Sequence, residues 1–193
     1  MPFLAGISAG ETDFSRDGKW VAYASYPEHT LWRSRVDGSE RLQLSYPPVV
    51  AGLPHWSPDA TQIAYVDIQP GRPWKTFLIS AQGGAPQEML AENHIQVDAT
   101  WSPDGKKIAF GRIPVTGSPE VLAIYIIDLA THQVSTVSGS ENLFSPRWSP
   151  DGQHLAALNQ DSSKLLLFDF KTQKWSDWIT EPGLVGYLNW SQD

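Results

Sequence analysis

The feature that most constrains this chain is a phrase that recurs along it. Trp101-Ser102-Pro103-Asp104-Gly105, followed by Lys106-Lys107-Ile108-Ala109-Phe110, is one copy. Phe14-Ser15-Arg16-Asp17-Gly18, Trp56-Ser57-Pro58-Asp59-Ala60 and Trp148-Ser149-Pro150-Asp151-Gly152 are others, and Trp190-Ser191-Gln192-Asp193 is a fifth that stops with the chain. The aromatic positions 14, 56, 101, 148 and 190 lie 42, 45, 47 and 42 residues apart. A period of roughly 40 to 50 residues means a solenoid, a propeller or an array, in which each unit is one small sheet or helix pair stacked on its neighbours.

Each period parses into four short strands. In the third, 97–101 reads as a strand, and Ser102-Pro103-Asp104-Gly105 as a turn in which Pro presets φ, Asp bonds locally and Gly supplies positive φ. Residues 107–112, 121–129 and 134–138 then read as three further strands. The first period gives 20–25, 31–36 and 42–45, with Asp37-Gly38 as a hairpin turn. The second gives 62–67, 76–81 and 87–90, with Gly83-Gly84 at the turn, and the fourth gives 155–159, 165–170 and 174–179. No segment holds a 3.6-residue apolar period, so no long helix is expected. The expected fold is all-β, a propeller of four-stranded antiparallel blades with about four blades in this chain. The expected blades are 9–52, 53–96, 97–144 and 145–185, with a spare first strand at 186–193, all in one continuous propeller over 1–193.

A single blade cannot bury its own faces. A large aromatic at one fixed position per blade, Phe14, Trp56, Trp101, Trp148 and Trp190, is therefore expected to fill the space between blades, worth a few kcal/mol each. Asp17, Asp59, Asp104 and Asp151 are expected to fix the turn that sets strand register. These residues read as scaffold.

Bulk properties exclude some functions. A net charge of −7 argues against gripping nucleic acid through phosphates, which needs clustered Lys and Arg. With 0 Cys there is no disulfide, thiolate metal site or Cys nucleophile, and no compartment is implied. No apolar run reaches the roughly 18 residues needed to span a bilayer, so no membrane partner is expected. Met1 to Ile7 has no basic region and too short an apolar stretch for a signal peptide, and reads as an internal piece of a longer protein.

The repeated W-S-P-D-G-K-x-I-A-F, an I-Y-x-x-D-L-type strand and the next W-S-P-D-G resemble the TolB-type, WD-repeat-like β-propeller repeat. The resemblance covers essentially the whole chain. It departs at Phe14 and Arg16, in place of Trp and Pro, and at Ala60, in place of Gly. Complete propellers of that family have more than four blades. The chain also resembles the C-terminal sensor propellers of bacterial regulators, which follow a winged-helix or kinase domain. Neither activity carries over to these residues.

The first strands hold the candidate site. The residue before each aromatic is Asp13, His55, Thr100, Arg147 and Asn189, all polar, whereas Thr12, Pro54, Ala99, Pro146 and Leu188 precede them. Alternation of this kind sends one row to the core and the other elsewhere. In a propeller the first strand is innermost, so the polar row is expected to line or rim the central channel. Glu11, Asp98, Ser145 and Tyr187, three before the aromatic, are candidates to join it. The expected ligand-binding residues are Asp13, His55, Asp98, Thr100, Arg147 and Asn189. The competing reading is a water-filled channel with solvated walls.

Other patterns carry less. Gly6-Ile7-Ser8-Ala9-Gly10 matches G-x-S-x-G, but that motif needs a strand-turn-helix elbow, and no helix follows. His29, His55, His94, His132 and His154 are scattered and read as solvated loop residues, with no metal-ligand spacing. No calcium run is present, and neither metal nor cofactor is expected. Trp74, Trp175 and Trp178 read as blade packing or as a protein-contact surface.

Five first strands against four sets of the others leave one strand spare. Self-association is therefore expected, with a homodimer closing an eight-bladed ring beside a self-closed four-blade chain as the alternative. The leading functional reading is a non-catalytic binding or scaffold module of a larger bacterial TolB-like sensor, with a protein or peptide partner. The alternative is the substrate-gating propeller of a prolyl-oligopeptidase-like enzyme.

Overall fold

The computed structural model describes residues 7–190 except 116, 181, 182, 184 and 187. Among these residues it is all-β, with sixteen strands in four antiparallel sheets of four, each in plain up-and-down order. This is the propeller expected from the repeat, with one blade per period. Among the described residues no helix is long and apolar enough to cross a membrane.

The chain divides into two compact units, Met1–Asn93 and His94–Asp193. The first holds sheet one, β1 (Ala9–Phe14), β2 (Trp20–Ser25), β3 (Leu31–Arg35) and β4 (Leu42–Gln43), and sheet two, β5 (Ala51–Trp56), β6 (Gln62–Asp67), β7 (Lys75–Ser80) and β8 (Gln87–Glu88). The second holds sheet three, β9 (Ile95–Trp101), β10 (Lys107–Ile113), β11 (Ala123–Asp128) and β12 (Val134–Thr136), and sheet four, β13 (Leu143–Trp148), β14 (His154–Asn159), β15 (Lys164–Asp169) and β16 (Lys174–Thr180). The outermost strands of the first three sheets are shorter than the sequence suggests, at two or three residues.

The second strands carry the packing code. Val21-Ala22-Tyr23, Ile63-Ala64-Tyr65, Ile108-Ala109-Phe110 and Leu155-Ala156-Ala157 follow their turns at the same spacing, and all are buried. Alternate residues go to opposite faces. In the first unit Ile63 and Tyr65 of sheet two pack with Ala22 and Leu31 of sheet one, large over small, with Trp56 closing the cluster. In the second unit Leu155 and Ala157 of sheet four meet Ala109 and Ile124 of sheet three. There Phe168 fills the volume that the small Ala157 leaves, and Trp148 stacks on Phe170 at 5.1 Å. Trp56 and Trp148 thus pack in the clusters shared by two sheets, whereas Phe14 is 45% exposed.

The turn phrase folds identically four times. Gly18, Ala60, Gly105 and Gly152 sit at φ of 66°, 55°, 70° and 72°. Ser15, Ser57, Ser102 and Ser149 each donate to the Asp two residues on, at 2.6–2.7 Å. The same hydroxyls accept the backbone N–H of Trp20, Gln62, Lys107 and His154 at 2.9 Å, which opens the next strand.

Val185, Gly186, Leu188, Asn189 and Trp190 lie outside any strand, where a spare first strand was expected; Tyr187 and 191–193 fall outside the described residues. Val185, Leu188 and Trp190 nevertheless cover Ala156, Leu158 and Leu165, the face of sheet four that sheet three does not use.

Candidate functional site

The polar row sits at the C-terminal ends of the first strands, and a bulge in each strand positions it. Leu53, Asp98 and Ser145, each three residues before its Trp, adopt φ of 49°, 54° and 54°. The ladders of β5, β9 and β13 shift register there, and that of β1 shifts between Ala9 and Glu11. A bulge leaves one backbone group out of the ladder and re-aims the side chains around it.

Those released groups are what the row binds. In the first unit Glu11 accepts the backbone N–H of Leu53, and Asp13 Oδ2 accepts that of Trp56 at 2.7 Å. Both carboxylates therefore reach from the first strand of sheet one to the equivalent strand of sheet two. In the second unit Thr100 Oγ1 accepts from Trp148 N at 3.4 Å, the same connection made by a hydroxyl. Asp98 accepts the Ser145 hydroxyl through Oδ2 and pairs through Oδ1 with Arg147 Nη1 at 2.8 Å. The pair is nearly buried, with side chains 12% and 11% exposed. Arg147 also donates from Nε to the Leu188 carbonyl at 2.9 Å and from Nη1 to that of Pro146 at 2.7 Å. Trp190 Nε1 returns a bond to the Arg147 carbonyl at 3.0 Å.

Of the expected site residues, Asp13, Asp98, Thr100 and Arg147 are thus tied to a neighbouring first strand. His55 lies beside Asp13, its Nδ1 3.9 Å from Oδ2. Asn189 is exposed and accepts its own neighbour's N–H, that of Trp190, at 2.9 Å. Glu11 and Ser145 take part in the ties, and Tyr187 lies outside the described residues. The structure joins Asp13 with His55, and Asp98 with Arg147.

The four motif serines are functional parts of the scaffold that residue types alone did not single out. Their hydroxyl–carboxylate bond is the main cause that holds the carboxyls of Asp17, Asp59, Asp104 and Asp151 below the usual aspartate value. The signal was present, since Ser recurs in every copy of the phrase.

The remaining candidates disperse. Ser8 is exposed where the chain enters β1, its carbonyl accepting the Tyr26 N–H, and Gly6 lies outside the described residues. Histidine is less solvated than expected: only His132 is fully exposed, while His94 accepts from Arg112 at 2.6 Å and pairs with Glu120 at 2.9 Å. Among the described residues no group of three His, Cys, Asp or Glu could hold a metal ion. Trp175 packs on Phe168 and donates to the Ser138 carbonyl at 2.9 Å, whereas Trp74 and Trp178 are 41% and 49% exposed. Chemically the row offers fixed carboxylates, hydroxyls and a guanidinium that cross-link strands.

Comparison with known proteins agrees with this architecture. The chain is 39% identical to the Tol-Pal system protein TolB of Alcanivorax borkumensis over 108 residues, which make up 53% of this chain and 24% of that protein. It is 28% identical to the protein of the same name from Anaeromyxobacter dehalogenans over 126 residues, 63% of this chain and 28% of that one. The chain therefore spans about a quarter of the length of the curated relatives it matches. The crystal structure of TolB from Acinetobacter baumannii superposes with a TM-score of 0.75 at 19% identity, over 92% of this chain and 45% of that one. The family model of the TolB β-propeller domain matches residues 11–176, and the chain belongs to that family.

Proposed function

We propose that the chain is a non-catalytic binding module that engages a protein or peptide partner through exposed loops and strand ends. The observation that supports this most is the use of the polar row. Asp13, Thr100, Asp98 and Arg147 spend their hydrogen bonds on the neighbouring first strand, so they act as framework and leave contacts to the periphery. In the first unit the Asp13–His55 pair keeps 20% of each side chain exposed, and in the second unit Asn189 is exposed. The curated relatives are named Tol-Pal system proteins, and a protein of that system is the partner class to try first.

The test is a binding titration of the purified chain against the Tol-Pal proteins of its source organism, run beside a turnover assay on peptide and ester substrates. Saturable binding without turnover is expected. Silence across the whole panel, or hydrolysis by the chain itself, would overturn the reading. The substrate-gating alternative places catalysis on a separate hydrolase domain, so it too predicts no turnover by this chain, and the coding sequence that flanks it separates the two readings. Self-association is a separate proposal: light scattering should give twice the 21.4 kDa of one chain, and a single-chain mass across a dilution series would refute the dimer.

A further inference from the structure

The first unit carries a cavity that the polar row does not use. It lies at β2, β3 and β4 of sheet one, among Tyr23, Trp32, Arg41 and Gln43, and its volume is about 350 Å³. That is the lower range of natural ligand pockets, room for a few residues of a peptide. Tyr23 and Trp32 share a cluster separate from the one that joins sheets one and two.

Its chemistry is one-sided. The Trp32 ring is held in place, because its Nε1 donates to Thr30 Oγ1 at 2.9 Å and that hydroxyl is bonded to Ser25 Oγ at 2.9 Å. The Arg41 guanidinium sits over the ring, 5.2 Å from its centroid, and makes no ion pair among the described residues. The Tyr23 hydroxyl is fully buried and has no hydrogen-bond partner among them. Tyr26 is 60% exposed at the rim, beside Pro27, and Tyr46, next to the lining Pro47, is 62% exposed. Glu28 adds an exposed carboxylate with no ion-pair partner among the described residues. The site therefore offers aromatic faces and unused donors, and one carboxylate.

We infer that this cavity binds a proline-rich peptide bearing a basic residue, as the docking mode of the proposed binding module, on which this inference rests. A polyproline II segment has no N–H at its prolines and no internal hydrogen bonds, so it presents rings and bare carbonyls. Aromatic walls take the rings, and Arg41 and the hydroxyl of the exposed Tyr26 serve the carbonyls. Glu28 and the chain's net charge of −7 favour a basic flank. The segment is extended before it binds, so little ordering entropy is lost.

The probe is a synthetic decaproline with an arginine at each end, titrated into the full ¹⁵N-labelled chain. A glutamate-ended decaproline and a methyl glucoside serve as controls. The indole signal of Trp32, assigned through Trp32→Phe, should shift saturably with the arginine-ended peptide. Tyr26→Ala and Arg41→Ala should each weaken binding about tenfold or more. Glu28→Gln should erase most of the preference over the glutamate-ended peptide. All three side chains are exposed, and an unchanged spectrum elsewhere checks the fold. An unmoved Trp32 indole, a shift insensitive to Tyr26→Ala, or a shift caused only by the glucoside would each overturn the inference. Should a Tol-Pal protein bind the chain undiminished by Tyr26→Ala while decaproline fails, the pocket falls and the module reading survives.

Discussion

The Asp98–Arg147 pair is where the framework reading can be measured. Asp98 holds Arg147 at 2.8 Å and the Ser145 hydroxyl, and Arg147 holds the Leu188 carbonyl, so one ion pair links the third, fourth and fifth copies of the phrase. Removing one partner of a buried pair leaves an uncompensated charge and costs about 3–5 kcal/mol. Asp98→Asn keeps the shape, one acceptor and the tolerance for a φ of 54°, so it isolates the charge and should cost about 2–3 kcal/mol. Asp98→Ala also strands the Ser145 hydroxyl and puts alanine in the left-handed region, adding about 1–2 kcal/mol. For a chain of this length each kcal/mol moves the melting temperature by about 2–4 °C, so the asparagine variant should melt roughly 4–12 °C lower.

The decisive number is the coupling. Arg147→Met removes the other charge while keeping apolar volume, and the double variant should cost about 2 kcal/mol less than the two single costs combined. Urea is the denaturant to use, because guanidinium salts screen the pair. Amide exchange at Trp148 and Trp190 reports the same unit without assuming that the whole chain unfolds in one step. A coupling below about 0.5 kcal/mol, the ordinary limit of additivity, would refute the claim that these side chains tie strands. So would an asparagine variant that costs as much as the alanine one.

Two further outcomes follow from the turn phrase. Ser102→Ala should cost about 1 kcal/mol near neutral pH by losing the bonds to Asp104 and to Lys107 N. Because Ser102 first, and then the Lys106 N–H, holds the Asp104 carboxyl below its ordinary value, that part of the stability is complete above about pH 4 and fades as pH falls through the lowered folded value. The gap between wild type and Ser102→Ala, read by urea midpoints, should therefore narrow in acid, and a gap that widens would contradict the assignment. Ala60→Gly, at the one copy where φ of 55° is met without glycine, should raise the urea midpoint by an amount worth about 0.5–1 kcal/mol, and a fall would refute the strain argument.

The repeat, the four strands per period and the turns were legible in the sequence because each rests on local chemistry. Asp37-Gly38 and Gly83-Gly84 turn where expected, with φ of 85° at Gly38 and 87° at Gly83. Strand edges were less legible. The expected 42–45 and 87–90 shrink to Leu42–Gln43 and Gln87–Glu88, whereas the outermost strand of sheet four keeps its length at Lys174–Thr180. The polarity of the row was visible, but its use was not. Asp13 bonds to the backbone of Trp56 and Asp98 to the side chains of Ser145 and Arg147, all more than forty residues along the chain. A backbone donor has no residue type to read, and a partner one period away shows no local spacing.

The bulge explains why the row looked like a variable ligand ring. Leucine, aspartate and serine occupy one left-handed position, at Leu53, Asp98 and Ser145, although only the second is a natural occupant of that region. Leu53 is held there by the Glu11 carboxylate on its N–H, so in this copy the carboxylate comes from the preceding strand and the bulged residue supplies only backbone. At Ser145 the bulged residue supplies a hydroxyl to Asp98, itself bulged, and Arg147 neutralises the carboxylate that two such roles leave near the core. One geometric requirement, joining successive first strands, is thus met by carboxylate and amide in one unit and by carboxylate, hydroxyl and guanidinium in the other. The variety of Glu11, Asp13, Asp98, Ser145 and Arg147 along these strands follows from two chemical solutions to the same joint.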